Sequence, residues 1–93
     1  MAVAWFSVTT TIRAGNGQNV VFAFRAPDGV NTIDDFADEL SEHGVITGER
    51  FRVTNARAGR KGVLDERRDI MLTREGIAAV QPFSNPEDFE IYE

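Results

Sequence analysis

The strongest constraint on the fold is an alternating segment that runs into a turn and then into a second alternating segment. In residues 4–13, apolar or β-branched side chains occupy every second position, which predicts a strand with one buried face. Residues 14–17 read Ala-Gly-Asn-Gly, and Asn and Gly tolerate the positive φ angles that tight hairpin turns require. Residues 19–25 alternate again, with Phe22 and Phe24 on the same face. The sequence therefore begins with a predicted β-hairpin.

One helix is predicted over residues 32–43. Thr32 is a typical N-cap, because its hydroxyl can accept a hydrogen bond from the first helical turn. Asp35, three residues on, completes an aspartate version of the capping box. Apolar residues then recur at spacings of three and four, so one stripe of the helix faces a core. Gly44 follows as a typical C-terminal stop.

Three further strands are predicted at residues 46–54, 63–73 and 77–81, the second of them interrupted near residues 65–66. The order is β-β-α-β-β-β, and one helix on one face of a mostly antiparallel sheet is the natural packing for an α+β chain. This order of elements resembles that of β-grasp folds. A small, partly rolled sheet of the Sm or SH3 type is the alternative.

Residues 1–83 are predicted to form a single α+β domain, since a chain of 93 residues has the size of one domain. A chain this short buries only about 60–70% of the surface that its unfolded state exposes, so association could add to its stability. Residues 84–93 form an acidic tail. Apolar and other side chains alternate at its end, so the tail could form an edge strand.

The sequence contains no cysteine, which excludes disulfides, thiolate zinc sites and cysteine nucleophiles. No apolar run approaches the roughly 20 residues of a membrane span, and the first six residues lack the basic start of a signal peptide. We therefore expect a cytoplasmic protein that does not engage a membrane.

The net charge of −5 conceals a strong asymmetry along the chain. Residues 1–47 carry two basic and six acidic side chains, whereas residues 48–74 carry eight basic and four acidic ones. If the third and fourth strands pair, seven cations would surround one hairpin and could bind an anion. These candidates are Arg50, Arg52, Arg57, Arg60, Lys61, Arg67 and Arg68. The competing interpretation is a solvated hairpin that is partly neutralised by Asp65, Glu66 and the acidic tail.

Nothing in the sequence resembles a catalytic or metal-binding constellation. His43 is the only histidine, and its place at the end of the helix is explained by the helix dipole. The serines lie in no nucleophile motif, and the acidic residues between 34 and 42 are interpreted as a solvated helix face rather than a cation site. We therefore expect no enzymatic activity, no cofactor and no metal.

The first predicted strand is apolar on both faces. Trp5 points away from Phe6, so its side of the sheet needs a cover as well. A partner subunit could supply that cover, or the tail could fold back onto Trp5. The candidate interface residues are Trp5, Phe89, Ile91 and Tyr92.

Three hypotheses about function remain open. The leading one is a non-enzymatic module that binds another protein or a second copy of itself. The second is a binder of an anionic ligand, such as a nucleotide or RNA, through the basic hairpin, although the acidic charge of the whole chain and the lack of interleaved aromatic residues disfavour nucleic acid. The third is a small acidic inhibitor, of the kind that mobile elements encode, which presents the carboxylates of the helix and tail.

Overall fold

The computed structural model describes residues 3–93, which form one α-helix and six β-strands. The strands are β1 (Trp5–Arg13), β2 (Asn19–Arg25), β3 (Val45–Thr54), β4 (Gly62–Thr73), β5 (Ile77–Pro82) and β6 (Phe89–Ile91), and the helix is α1 (Ile33–His43). Two 3-10 turns, Arg74–Gly76 and Pro86–Asp88, precede β5 and β6. The predicted order β-β-α-β-β-β is confirmed, and β6 follows it in the tail.

All six strands belong to one open sheet with the order β5-β1-β2-β3-β4-β6. Neighbouring strands are antiparallel, except that β6 runs parallel to β4. In the sheet, β1, β2 and β3 separate β4 from β5, yet only the 3-10 turn Arg74–Gly76 connects these two strands along the chain. The sheet must therefore curl to bring the end of β4 close to the start of β5. At this crossing the Thr11 hydroxyl donates to the carbonyl oxygen of Glu75 at 3.2 Å. The predicted α+β class and mostly antiparallel pairing are thus confirmed.

The helix is set by the local signals at its ends. The Thr32 hydroxyl oxygen accepts a hydrogen bond from the Asp35 backbone N–H at 3.1 Å. The Asp35 carboxylate in turn accepts bonds from the N–H groups of Asn31 and Thr32, at 2.9 and 3.2 Å. These bonds, led by that from Asn31, hold the pKa of Asp35 below its ordinary value. Gly44 ends the helix in the left-handed conformation and donates to the Leu40 carbonyl at 2.9 Å.

The helix closes the main core. The Phe36 ring meets those of Phe6 and Phe24 edge-on, with ring centroids 5.2 and 5.7 Å apart. The buried residues of this core are Phe6, Val8, Phe22, Phe24, Ala26, Val30, Phe36, Ile46 and Leu72. We call this side of the sheet the helix face.

The predicted interruption of the fourth strand is a β-bulge. Strand β4 is continuous, but its register against β3 shifts between Arg50 and Arg52, and Glu66 adopts a φ of 53°. The extra residue changes which side chains face which side of the sheet. As a result, Leu64 lies on the side opposite the helix, whereas strand alternation places Arg68 with Arg50 on the helix face.

A second, smaller core lies on that opposite side, which we call the tail face. Ala23, Phe51 and Leu64 are buried there. Half-buried apolar residues cover them, namely Trp5, Val53, Phe83 and Phe89. The rings that cover Trp5 are those of Phe51 and Phe83, and the tail joins this layer through Phe89, which packs on Phe83.

Candidate binding surfaces

The seven predicted anion-binding residues do not converge on one site. The first of them, Arg52, is paired with an acidic residue. Its Nε and Nη2 atoms donate to the two carboxylate oxygens of Asp65 at 3.0 and 2.9 Å. This bidentate pair raises the pKa of Arg52 and lowers that of Asp65. A carboxylate oxygen of Glu66 lies 3.4 Å from the same guanidinium. Arg52 is thus neutralised by acidic residues of the neighbouring strand.

Arg67 is neutralised on the tail face. Its Nη1 donates to the Glu49 carboxylate and lies 3.4 Å from an Asp69 oxygen. Glu49 also accepts from Arg25 Nε at 2.7 Å. The bond from Arg25, and then that from Arg67, holds the pKa of Glu49 below its ordinary value.

Arg50 and Arg68 form a different pair. They are directly opposite each other on β3 and β4, and strand alternation places both on the helix face. Neither makes an ion pair within residues 3–93. Like charges that face each other across two strands are destabilising, typically by a few tenths of a kcal/mol. The fold thus retains two adjacent cations that nothing in the described chain neutralises.

Arg50 borders an apolar groove of about 440 Å³ on the helix face. The groove lies where the curled sheet brings the β1–β2 hairpin opposite the end of β4. Its apolar lining includes Ile12, Val20, Phe22, Ile70 and Leu72. Ile12 is 64% exposed, so part of the apolar lining of the groove that Arg50 borders is open to solvent.

The last three predicted cations lie at the tip of the β3–β4 hairpin. Arg57 and Arg60 are joined by an isolated bridge, in which the Arg60 N–H donates to the Arg57 carbonyl at 2.8 Å. With Lys61 they border an open hollow of about 400 Å³, to which Asp88 of the tail also contributes. All three are exposed, and within the part of the chain described they make no ion pair. They form a solvated cationic tip.

The tail face holds the first two of the predicted interface residues. The Trp5 ring packs on Phe51 and Phe83, with ring centroids 5.2 and 6.4 Å apart. Phe83 in turn packs on Phe89 at 5.1 Å. Trp5 and Phe89 are therefore engaged within the chain. Phe83 completes this aromatic layer, and no pattern in the sequence marks it, because it lies between the fifth predicted strand and the tail.

Arg25 joins the tail to this layer. Its guanidinium carbon lies 5.5 Å from the centre of the Trp5 ring and 5.0 Å from that of Phe51. Its Nη2 donates to the Glu93 carboxylate at 2.6 Å. The bonds that Arg25 donates to Glu49 and Glu93 raise its pKa, and the bond from Arg25 lowers the pKa of Glu93. The periodicity of the sequence does not predict the contact between Arg25 and Glu93, because 68 positions separate the two residues.

The other two predicted interface residues remain accessible. Ile91 is 39% and Tyr92 53% exposed, although the Tyr92 N–H donates to the Leu64 carbonyl at 2.8 Å. The Tyr92 hydroxyl donates to Glu90 at 2.6 Å, and that bond raises the pKa of Tyr92. The outer side of β6 is therefore a mixed apolar and acidic edge.

The end of α1 carries the acidic and histidine side chains considered for metal binding and catalysis. His43 Nε2 lies 3.9 Å from a Glu39 oxygen and 3.8 Å from a Glu42 oxygen. The possible ligand atoms of these three residues lie within 4.8 Å of one another. His43 and Glu42 are exposed, and the arrangement is that of neighbouring polar side chains on a solvated helix surface.

Comparison with known proteins identifies no relative. No protein-family model, no curated protein and no solved structure matches this chain. Among residues 3–93, the structure contains no helix that is both long and apolar enough to cross a membrane.

Proposed function

We propose that this chain is a non-enzymatic protein-interaction module that binds an acidic, apolar segment of its partner in the groove on the helix face. The observation that carries the proposal is that Arg50, which lines the groove, and Arg68, which lies opposite it on the next strand, make no ion pair among the described residues. By contrast, Arg25, Arg52 and Arg67 each form an ion pair with a carboxylate of a neighbouring strand.

The physical reason is complementarity of two kinds. The groove offers apolar surface at Ile12, whose burial by a ligand would be favourable at roughly 25 cal/mol per Å². A carboxylate placed between Arg50 and Arg68 would remove the repulsion between them and form charge-assisted hydrogen bonds. A segment that presents apolar side chains next to an Asp or Glu meets both requirements.

The partner is another protein or a second copy of this chain. A photo-crosslinking residue at position 12, in the full chain expressed in its own cells, identifies which. Position 21 is the matched control, because Val21 is 53% exposed but lies on the tail face by strand alternation. We expect a discrete protein adduct from position 12, and no such adduct from position 21.

Charge reversal then tests the role of the arginines. Arg50→Glu with Arg68→Glu should remove the adduct from position 12 while leaving the fold intact by circular dichroism. An adduct that survives this double substitution, or that forms equally at position 21, would refute the groove as the binding site.

A second candidate function is the binding of an anionic ligand at the hairpin tip. The specific observation in its favour is that Arg57, Arg60 and Lys61 border one hollow without forming an ion pair among the described residues. Fluorescence anisotropy with a labelled RNA oligonucleotide should then show binding that weakens steeply with salt. Arg57→Glu with Arg60→Glu should abolish that binding, and an unchanged affinity would exclude this function.

A further inference from the structure

The tail is held on the body of the protein by a site with three distinct components, the first of which is a strand edge. Strand β6 pairs in parallel with β4, with Gly62 opposite Phe89 and Leu64 opposite Ile91. The Tyr92 N–H extends the pairing by one bond to Leu64. This is the geometry by which an extended peptide adds to the edge of a sheet.

The second component is a socket for an aromatic ring. Gly62 is buried, and a Cβ atom at this position would lie 2.4 Å from the Phe89 ring and 2.9 Å from the Thr54 carbonyl oxygen, both closer than real contacts. Glycine at position 62 is therefore what allows the ring to sit against the backbone of β4. Phe83 forms the adjoining wall of the socket.

The third component is a fixed cation. The Arg25 side chain is only 17% exposed and is held by Glu49 and by the rings of Trp5 and Phe51. It reaches the Glu93 carboxylate at the end of the tail. Because its other contacts all come from the body of the protein, the cation stays in place whichever carboxylate it meets.

The tail itself uses this site incompletely. Strand β6 has three residues, and the side chain of Glu93 remains 61% exposed despite its ion pair. The backbone of Asn85, in the connection to β6, adopts the left-handed conformation, which asparagine tolerates better than most other residues apart from glycine. The tail thus contributes to this site a three-residue strand, one half-buried ring and an ion pair that is open to solvent.

We infer that the surface under the tail is a peptide-binding site for an extended segment of another protein, and that the tail occupies this site in cis as a competitor. The segment would carry an aromatic residue for the socket, an aliphatic residue two positions later, and a carboxylate for Arg25. This site lies on the face opposite the proposed groove and does not depend on it.

The occupant is another protein rather than a second copy of this chain. An identical tail from a second copy offers no additional contact, and it competes with an attached tail whose effective concentration is of the order of millimolar. A foreign segment can displace the tail by making better contacts at the exposed positions of Ile91 and Tyr92.

A full-length variant with a weakened tail tests this inference. Phe89→Ala with Glu93→Gln removes the ring and the charge from the tail but leaves the site itself unchanged. The probe is a labelled synthetic peptide of residues 84–93, titrated against this variant and against the unmodified chain. We expect the variant to bind the peptide at least about tenfold more tightly, because the attached competitor is impaired.

Two controls keep the result specific. A peptide with Phe89→Ala should lose most of the binding, and this control leaves the folded protein unchanged. Adding Gly62→Ala to the weakened-tail variant should abolish binding of the unmodified peptide, whereas Arg50→Glu with Arg68→Glu should not affect it. The last control separates this site from the groove.

The inference is wrong if the weakened-tail variant binds the peptide no more tightly than the unmodified chain does. It is equally wrong if the peptide with Phe89→Ala binds as well as the original. If the unmodified chain forms a dimer by native mass spectrometry that Gly62→Ala removes, the occupant is a second copy, which also contradicts the proposal.

Discussion

The two faces of the sheet are covered in different ways. On the helix face, an eleven-residue helix with a capping box at one end and a glycine stop at the other closes a core of nine buried residues. On the tail face, a three-residue strand and the half-buried rings of Phe83 and Phe89 cover three buried residues. The helix contributes a buried side chain to the main core, whereas the tail contributes only half-buried and exposed side chains. The difference suggests that the tail can leave while the main core remains intact.

The largest expected effect is on the helix cover. Phe36→Ala should destabilise the protein by about 3–5 kcal/mol, because a fully buried aromatic ring is replaced by a cavity between two strands and the helix. Urea denaturation followed by circular dichroism measures this loss. Ile33→Ala in the same helix is the control, since Ile33 is 36% exposed and its loss should cost far less. Similar losses for the two variants would show that the helix face is not the principal core.

Substitutions in the rings that cover the tail face should destabilise the protein less. Phe83→Ala should cost about 1–2 kcal/mol, since the ring is only half-buried and its neighbours can shift to fill the space. The fluorescence of Trp5, the only tryptophan, should move to longer wavelength as water reaches its ring. The matched control Val21→Ala, at an exposed position of the same face, should change neither property. A loss as large as that of Phe36→Ala would contradict the distinction between the two covers.

A smaller effect is expected from the ion pairs under the tail, and it depends on pH. The folded-state pKa of Glu49 lies below its ordinary value of 4.5, so its stabilising contribution is present above that pH and is lost as the pH falls through the folded value. Glu49→Gln should cost no more than about 1 kcal/mol at neutral pH. Melting temperatures of the two proteins should converge as the pH is lowered below 4.5. A difference that persists unchanged at low pH would mean that Glu49 acts through packing rather than charge.

The smallest expected effect has the opposite sign. Arg68→Gln should stabilise the unliganded protein by a few tenths of a kcal/mol, because it removes the repulsion with Arg50 across the two strands. Chemical denaturation at low salt is the appropriate measurement, and added salt should reduce the gain. Arg67→Gln is the control and should be neutral or destabilising, since Arg67 is paired with Glu49. If Arg68→Gln instead destabilised the protein, the two arginines would not repel each other in the unliganded fold, and the reason given for their role in binding would be wrong.

The sequence was sufficient to predict those parts of the fold that local signals determine. The alternation in β1 and β2, the Thr32–Asp35 cap and the Gly44 stop each depend on neighbours within a few residues, and all were predicted at nearly the observed positions. The interruption in β4 was also visible, but its consequence was not. The one extra residue at the bulge reverses the facing of the side chains beyond it. The seven predicted cations lie in four separate places, namely Arg52 with Asp65, Arg67 with Glu49, the pair Arg50 and Arg68, and the hairpin tip.

The cover of the tail face could be predicted only as an alternative between a partner and the tail. The apolar character of Trp5 shows that its face needs covering, but one of the two rings that pack on it, Phe83, lies almost eighty positions away, where sequence periodicity carries no information. The same holds for the bond between Arg25 and Glu93. Only the three-dimensional register of β6 against β4 brings these groups together.

Native-state hydrogen exchange tests most directly whether the two covers are independent. The Tyr92 N–H, bonded to Leu64, reports opening of the tail, and the Phe36 N–H, bonded to Thr32, reports opening of the helix. Amides in the middle of β1 and β2 report global unfolding. We expect the tail amide to exchange through an opening at least about tenfold more populated than global unfolding, with a denaturant dependence too small for exposure of the main core. Exchange of Tyr92 with the same free energy and denaturant dependence as the β1–β2 amides would contradict this account, because the tail would then be an inseparable part of the fold.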